Sequence, residues 1–378
     1  MTEINSFFVI SGNSTLSLYN WLTMIGKISL RDFRNFGAKA IEFSDKITLI
    51  IGPNASGKTN ILESLFLLSS GRSFKARVEE EMVNYNKDLA RVKGILSDSV
   101  LTDKVNLEVL ITRGLIDIGA DRPEKVARKR LLVNGIPKRL VDFAGNFKVV
   151  LFGPWDLDLV TESPSLRRKF LDTVLSQVDR EYRRSILSYE KGVRQRNRLL
   201  FRIREEGLSR SQLLFWNQLL IRNGNYISVK REELINFIDS SGFQINGLKL
   251  HLTYDKSIIS EGRLEQYKEE EIAAATTLVG PHRDDFIFEE GERNLASYGS
   301  RGEQRMGVLW LKMAELSFIE KSTGERPTLL LDDIFSELDP EHRDTVVGIT
   351  RNQQTIITTA DPHFIGKLKK VEKIELAK

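Results

Sequence analysis

Cysteine is absent from the 378-residue sequence. This absence excludes a disulfide framework and every cysteine-ligated zinc or iron–sulfur site, and it favours a reducing compartment. Long apolar runs are absent too, since none comes near the roughly 18 residues that a membrane-spanning helix needs. Residues 1–23 contain no Lys or Arg, so they lack the basic start of a secretory signal. The sequence therefore predicts a cytoplasmic protein with no membrane partner.

Neither sign of charge is in large excess, because 56 Lys and Arg residues stand against 52 Asp and Glu residues, a formal net charge of +4. That sum is too small to indicate nucleic-acid binding by itself. The basic residues are nevertheless concentrated, since residues 163–210 contain 13 Lys and Arg against 6 Asp and Glu. Such a stripe suits sequence-independent contact with phosphates, but the solvated face of a long helix has the same composition. The candidate DNA contacts in it are Arg180, Arg183, Arg184, Arg194 and Arg198.

The hydrophobic pattern changes twice along a chain that is too long for one ordinary domain. Residues 24–155 and 274–378 contain short apolar runs between turn residues and a few helical segments, and they predict one discontinuous head. Between them, apolar residues recur every three or four positions. Residues 156–273 are therefore predicted to form an inserted helical arm, with one helix from Ser163 to Val193 and a second after Gly207. Residues 1–23 are predicted to be a weakly ordered extension, although FFVI within them also fits an extra strand.

A glycine-rich octapeptide, GPNASGKT, lies between the apolar run ITLII and the helix-like run NILESLFLLSS. In this pattern backbone N–H groups turn inward around phosphates, a lysine reaches the β- and γ-phosphates, and a hydroxyl binds Mg²⁺. The lysine is Lys58 and the hydroxyl is that of Thr59. The flanking runs predict a buried strand before the loop and a helix after it, as a phosphate site requires. The predicted nucleotide-binding residues here are Gly52, Pro53, Asn54, Ala55, Ser56, Gly57, Lys58, Thr59 and Asn60.

A second apolar run, TLLLDD, ends in two carboxylates. Asp332 is predicted to hold Mg²⁺, and Asp333 to orient or deprotonate the attacking water. A solvated strand end followed by a helix cap is the alternative interpretation. Lys58 and Asp332 are 332 − 58 = 274 residues apart, so a large insertion separates two halves of one nucleotide site.

A Ser/Gly-rich turn, YGSRGEQR, precedes a helical segment upstream of TLLLDD. Ser300 and the backbone of Gly302 have the composition of a second phosphate cradle at a helix N-terminus. Because one chain has little use for two such cradles, the turn is predicted to close over the nucleotide of a second copy. A simple helix cap remains the alternative.

Four of these motifs, GPNASGKT, GSRGE, LLLDD and the following SELD, resemble in that order the Walker A, signature, Walker B and D-loop motifs of ABC-type ATPases. FRNF resembles the corresponding segment of the SMC-like branch that acts in DNA repair and chromosome maintenance. Three further stretches resemble the RecF family, namely LFGPWDLDLVTESPSLRRKFLD, YEKGVRQRNRLL and VGPHRDDF. The resemblance runs from Met24 to about the end of the chain.

The resemblance implies an α/β fold, with a two-lobed ABC-type P-loop ATPase head of mixed sheet and helices and an inserted helical arm. It adds Arg34 to the nucleotide-binding residues, makes Lys58 and Asp333 catalytic, and implies ATP and Mg²⁺ as cofactors. It further implies an ATP-dependent homodimer on duplex or gapped DNA, weak DNA-dependent ATP hydrolysis, and RecR, RecO and indirectly RecA as partners in replication, recombination, repair and the SOS response. The residues implied to contact the nucleotide of the partner subunit are Ser300, Arg301, Gly302 and Asp339.

Several positions depart from the general ABC pattern. Asp333 replaces the usual glutamate, which suggests slow hydrolysis, and Glu303 replaces a glutamine of the signature. Thr359 stands where transporter ATPases have a switch histidine, and His363 is only a candidate for that role. The Q-loop glutamine is not located. The alternatives are a transporter ATPase, another SMC-like ATPase of DNA maintenance, a structural SMC-like tether and a nuclease with an ATPase head. The segment from Ser163 to Ile238 is too short for the many heptads of a tether, and no further acidic cluster supports a nuclease. VGPHRDDF is interpreted as structural or interfacial rather than as a metal site.

Overall fold

The computed structural model describes residues 23–98, 104–116, 124–243, 245, 247–337, 340–361 and 371–377, and the possible strand FFVI lies outside them. The described residues form strands of four sheets and helices that pack against the two largest of them. The strands are β1 (Thr23–Phe33), β2 (Phe36–Glu42), β3 (Ile47–Ile51), β4 (Leu89–Asp98), β5 (Val105–Thr112), β6 (Leu115–Ile116), β7 (Glu124–Lys125), β8 (Lys129–Val133), β9 (Ile136–Lys138), β10 (Val149–Phe152), β11 (Leu250–Asp255), β12 (Asp285–Glu290), β13 (Arg293–Asn294), β14 (Thr328–Asp332), β15 (Thr355–Thr359) and β16 (Val371–Glu375). The α-helices are α1 (Lys58–Ser70), α2 (Leu140–Phe143), α3 (Asp158–Thr161), α4 (Pro164–Val178), α5 (Arg180–Glu206), α6 (Leu214–Ser240), α7 (Glu261–Gln266), α8 (Lys268–Ala274), α9 (Leu295–Tyr298), α10 (Arg301–Thr323), α11 (Ile334–Glu337) and α12 (Pro340–Thr350).

A five-stranded sheet in the order β10-β14-β15-β3-β16 brings the predicted motifs together. All of its pairings are parallel, so the carboxyl ends of β3, β14 and β15 lie at one edge. β3 is the predicted ITLII strand and β14 the predicted TLLLDD strand, which confirms both predictions. β10, β14 and β15 and most of β3 are buried on both faces, because helices that include α4 and α10 pack on one side and α1 packs on the other.

Helix α1 lies between this parallel sheet and the six-stranded antiparallel sheet β2-β1-β4-β5-β8-β9. Its apolar residues are buried around most of its circumference, as expected for a helix enclosed by two layers. Gly94 of β4 allows this close approach, because a Cβ there would lie 2.6 Å from Leu68 Cδ1. The phosphate loop therefore sits on a rigid strand and a fully enclosed helix.

The arm contains the predicted hairpin, formed by α5 and α6 with Gly207 (φ 65°) in the turn. The prediction of a single helix from Ser163 to Val193 is wrong, because the chain breaks at Asp179, whose backbone is extended. The carboxylate of Asp179 accepts hydrogen bonds from the backbone N–H of Tyr182 at 2.9 Å and from the hydroxyl of Tyr226 at 2.8 Å. It thereby caps α5 and ties it to α6. Over the described residues, no helix combines the length and apolar character needed to cross a membrane.

The predicted boundary between arm and head at residues 273 and 274 crosses a sheet. β11, which lies in the predicted arm, pairs antiparallel with β12, which lies in the predicted head, from Leu250 opposite Glu290 to Asp255 opposite Asp285. Arg231 of α6 joins the same parts, since it donates to the buried carboxylate of Asp284 at 2.9 Å. The division into domains stays a prediction, but the base of the arm is built into the head.

Candidate functional site

Two glycines of the phosphate loop, Gly52 and Gly57, lie where a Cβ would be too close to neighbouring side chains. Gly57 adopts φ 98°, and a Cβ at this position would lie 2.6 Å from the ring of Phe36 and 2.7 Å from the side chain of Asn35. A Cβ on Gly52 would lie 2.6 Å from Ser56 Oγ. The two glycines are therefore required by close packing around the loop and, at Gly57, by a left-handed backbone.

Lys58 begins α1 and is buried inside the loop. Its ammonium donates to the carbonyl oxygens of Gly52 at 2.7 Å and Pro53 at 3.0 Å, so the loop holds the positive charge in its centre. Ser56 Oγ is buried and has no hydrogen-bond partner among the described residues. A buried hydroxyl without a partner, a buried cation and the N-terminus of a 13-residue helix fit the phosphates of a nucleotide.

Asp332, at the end of β14, faces the loop from the same sheet edge, with β15 lying between β14 and β3. Its carboxylate accepts hydrogen bonds from Thr59 Oγ1 at 2.7 Å and from the hydroxyl of Thr358 on β15. One hydroxyl and one carboxylate oxygen are the hard ligands that Mg²⁺ prefers, with water and substrate phosphates completing its shell. The predicted pair Thr59 and Asp332 thus fits a magnesium ion, although the two residues are 273 positions apart in the sequence.

Asp333 follows directly and has a left-handed backbone, φ 50°, which is uncommon for residues other than glycine. Its backbone N–H donates to Thr358 O at 3.0 Å, and Thr359 Oγ1 lies 3.4 Å from Asp333 Oδ1. Burial raises the pKa of the Asp333 carboxyl above its usual value, while the nearby charge of Lys58 opposes this increase. The sequence analysis named Thr359 only as the residue at the position of the switch histidine, and it did not name Thr358.

Arg34 pairs with a buried glutamate of α1. Its guanidinium forms a two-pronged ion pair with the fully buried Glu63 of α1, at 2.8 and 2.6 Å, and also donates to Glu81 O at 2.7 Å. The adjacent Asn35 reaches the phosphate loop instead, donating to Ser56 O at 3.3 Å. The prediction that Arg34 contacts nucleotide stays untested, and Asn35 and Glu63 are residues that sequence reasoning did not find.

The signature turn forms the N-terminus of α10. Ser300 Oγ accepts from the N–H of Glu303 at 3.2 Å, and the Glu303 carboxylate accepts from the N–H of Ser300 at 2.6 Å. This capping box shows that the helix-cap alternative is realised, and it gives Glu303 a role in place of the usual glutamine. Ser300, Arg301 and Gly302 are exposed, and the space around Gly302 is open. Their contact with a partner subunit stays a prediction, and Asp339 and His363 lie outside the described residues.

The five candidate DNA contacts on α5 are not equivalent. Arg180 pairs with Asp142 at 2.6 Å, and Arg183 is half-buried and donates to Val141 O at 2.9 Å. Arg184 is exposed and pairs with Glu181 of the same helix at 3.5 Å. Arg194 and Arg198 are exposed one helical turn apart, and no described residue forms an ion pair or hydrogen bond with either. These two cations are the ones best placed to meet phosphates.

The VGPHRDDF segment is part of a buried polar network. The carboxylate of Asp284 is fully buried and accepts hydrogen bonds from Arg231, from the hydroxyl of Tyr254 and from the N–H of Ser257. Burial lowers the pKa of His282 to about 4, and its ring lies within 3.0 Å of a backbone carbonyl. Within the part of the chain that the structure describes, no group of three His, Asp or Glu residues could hold a metal ion. The contacts of the described residues support the structural interpretation.

Comparisons with known proteins show which family and fold the chain resembles. The family model described as RecF/RecN/SMC N terminal domain matches residues 24–378. The "DNA replication and repair protein RecF" of Herpetosiphon aurantiacus is 34% identical over 376 residues, covering 92% of this chain and 97% of the relative. The solved structure described as "the recombination mediator protein RecF-ATPrS in RecFOR pathway" superposes with a TM-score of 0.81 at 30% identity, covering 93% and 96% of the two chains. An Smc head domain from Pyrococcus furiosus, 16% identical with a TM-score of 0.52 and 94% coverage of both chains, shares the fold alone.

Proposed function

The chain belongs to the RecF family of DNA replication and repair proteins, and from this premise we propose that it is an ATP-driven clamp on DNA. Two heads bind ATP, close on each other around duplex or gapped DNA, and separate again when ATP is hydrolysed slowly. The observation that carries the proposal is the meeting of Lys58 and Thr59 with Asp332 and Asp333 at one sheet edge.

Each residue of this edge has a distinct task. Lys58 exchanges its two carbonyl partners for phosphate oxygens, and the free hydroxyl of Ser56 gains a partner at the same time. Thr59 and Asp332 would hold Mg²⁺, which neutralises charge on the phosphates when it is bound. Asp333 accepts the proton of the attacking water, and Thr359 orients that carboxylate.

The exposed signature turn supplies the contact between subunits. Ser300 and Gly302 lie at the positive N-terminus of α10, and a phosphate of the partner's nucleotide fits such a terminus. ATP contacts both subunits in the dimer but only one in the monomer, so it binds the dimer more tightly. This difference in affinity shifts the equilibrium towards the dimer.

The biological role of the chain is proposed from the roles of its relatives. A solved relative is described as a recombination mediator of the RecFOR pathway, and we extend that role to this chain with RecR and RecO as direct partners and RecA as the protein that is loaded. Cytoplasmic action during replication restart and the SOS response belongs to the same proposal. The cysteine-free sequence supports the location.

The proposal is tested by the solution mass of the protein with a short DNA duplex, measured with and without ATP and Mg²⁺. An Asp333→Asn variant suppresses hydrolysis during the measurement. We expect a monomer that becomes a DNA-bound dimer only when ATP is present. If ATP leaves the mass unchanged, the phosphate loop binds nucleotide without driving dimerisation. The proposed contact of Ser300 with the partner's nucleotide is then wrong.

DNA contact through α5 gives a second expected result. Replacing Arg194 and Arg198 together by Ala should weaken duplex binding at all sequences and reduce the slope of log affinity against log salt by about 2, one unit for each lost phosphate contact. Fluorescence anisotropy at several salt concentrations measures this slope. The matched control changes Arg202 and Arg204, which lie on the same helix but pair with Glu206 and Glu205. An equal slope change in both double variants would mean that net charge, not these two positions, controls binding.

A further inference from the structure

A cavity of about 580 Å³ lies between the arm and the end of α1 that is remote from the phosphate loop. Helices α1, α4 and α5 contribute most of its wall. Ser70 of this wall ends α1, so it lies about 18 Å from Lys58 at a rise of 1.5 Å per residue. The cavity is therefore separate from the predicted nucleotide site, and its volume is in the range of small-ligand sites.

Three cations of the wall, Arg168, Lys169 and Arg183, form no ion pair with any residue that the structure describes. Each donates to backbone carbonyl groups instead, at 2.8 Å for Arg168, at 3.2 Å for Lys169, and at 2.9 and 2.6 Å for Arg183. Desolvation lowers the pKa of Arg168 and of Lys169, and the nearby charges of Arg231 and Arg72, respectively, lower it further. A cation that loses hydration without gaining a carboxylate is stabilised when an anion binds beside it.

The carboxylates of the wall are already paired with other groups. Asp172 accepts hydrogen bonds from Arg231 at 2.8 Å and from the hydroxyl of Tyr182 at 2.5 Å. Glu190 lies 3.7 Å from Arg72, which is the ion pair that joins α5 to the segment after α1. Because these two carboxylates have their own cations, the cavity keeps an excess of positive charge.

The rest of the wall combines apolar side chains with a buried donor. Phe66, Ile186 and the half-buried Leu187 provide an apolar surface. Gln177 is 3% exposed, and its Oε1 accepts from the N–H of Val149 at 2.8 Å, so the orientation of the amide is fixed. Its Nε2 is then a buried donor with no partner among the described residues. Such a donor is stabilised when a bound molecule supplies an acceptor.

We propose that this cavity binds a small phosphorylated molecule with an apolar body, the phosphate at Arg168, Lys169 and Arg183 and the body against Leu187. A phosphate accepts several charge-assisted hydrogen bonds at once, as three converging cations require. A DNA duplex fits the cavity less well, because a sugar–phosphate backbone offers no apolar group to the wall and because Arg168 and Arg183 are only partly exposed. The bound molecule contacts the arm and α1 together, and the inference does not depend on the clamp.

The test measures the affinities of the full chain for naphthyl phosphate and for inorganic phosphate by titration calorimetry, in a Lys58→Ala background that weakens phosphate binding at the phosphate loop. Arg168→Gln and Lys169→Gln should each weaken both ligands about tenfold, the lower end of what a hydrogen bond to a charged group supplies. Leu187→Ala should weaken naphthyl phosphate several-fold and leave inorganic phosphate unchanged. Lys191→Gln, which removes an exposed cation of α5 outside the cavity, is the matched control and should change neither affinity.

Four outcomes overturn the inference. Binding of naphthyl phosphate that is present in the wild-type chain and lost in Lys58→Ala would place the ligand in the phosphate loop. A chain that binds neither ligand in either background would show that the cavity takes no phosphate. An equal loss in Lys191→Gln and Lys169→Gln would show that net charge, not the cavity, controls binding. If Arg168→Gln and Lys169→Gln weaken binding of a short DNA duplex and leave both small ligands unaffected, these cations contact DNA instead.

Discussion

Asp333→Asn is expected to slow ATP hydrolysis by about 10²–10⁴-fold while leaving ATP binding intact, because an amide cannot accept the proton of the attacking water. The substitution is well matched to its site. Asp333 has φ 50°, and asparagine is among the few residues that tolerate this left-handed backbone. The amide also keeps the size of the carboxylate, so the contact with Thr359 is retained. Single-turnover hydrolysis with radiolabelled ATP measures the chemical step directly.

Two further variants define what this result means. Thr359→Val removes the hydroxyl that orients Asp333 and should slow hydrolysis less than Asp333→Asn does, since the carboxylate remains. Asp332→Asn should weaken magnesium-dependent ATP binding, a different defect from the loss of a base. A single-turnover rate that Asp333→Asn leaves unchanged would remove this residue from the mechanism.

The parts of the fold that sequence predicts best are those with a strong local pattern. The loop GPNASGKT, the strands ITLII and TLLLDD and the hairpin of α5 and α6 are present where they are predicted. Each depends on residues close together in sequence, such as glycines at fixed spacing, a continuous apolar run or a repeat of three to four. The pairing of Thr59, at the start of α1, with Asp332 follows from the parallel arrangement of β3, β15 and β14, whose carboxyl ends lie at one edge of the sheet.

The features that sequence reasoning missed depend on contacts between distant segments. The break at Asp179 interrupts a continuous helical repeat, because a carboxylate that caps α5 also accepts from Tyr226 on another helix. The partner of Arg34 is Glu63. A glutamate within an apolar helix is expected from the sequence to face solvent, but the side chain of Glu63 is buried. No local pattern indicates which of several buried strand ends will face a given carboxylate, so Thr358 and Thr359 could not be assigned.

Ser300→Asp is expected to abolish ATP-dependent dimerisation while the monomer keeps its affinity for ATP. Aspartate is as good a helix cap as serine, so α10 should remain stable. Its charge, however, would face the γ-phosphate of the partner's nucleotide, and a like-charge contact at an interface costs several kcal/mol, or more than about 100-fold in the dimer dissociation constant. Sedimentation velocity with ATP, in the Asp333→Asn background, measures the dimer.

Ser300→Asn is the matched control, because asparagine also caps helices but carries no charge. Lys58→Ala is the contrasting variant. It should weaken ATP binding in the monomer itself by about 10- to 150-fold, since it removes charged hydrogen bonds to phosphate, and dimerisation should fail as a consequence. If Ser300→Asp and Ser300→Asn weaken the dimer equally, charge at this position does not face a phosphate. If Ser300→Asp instead lowers the ATP affinity of the monomer as Lys58→Ala does, the signature turn contacts the nucleotide of its own chain. The phosphate loop and the signature turn of one subunit then bind the same nucleotide.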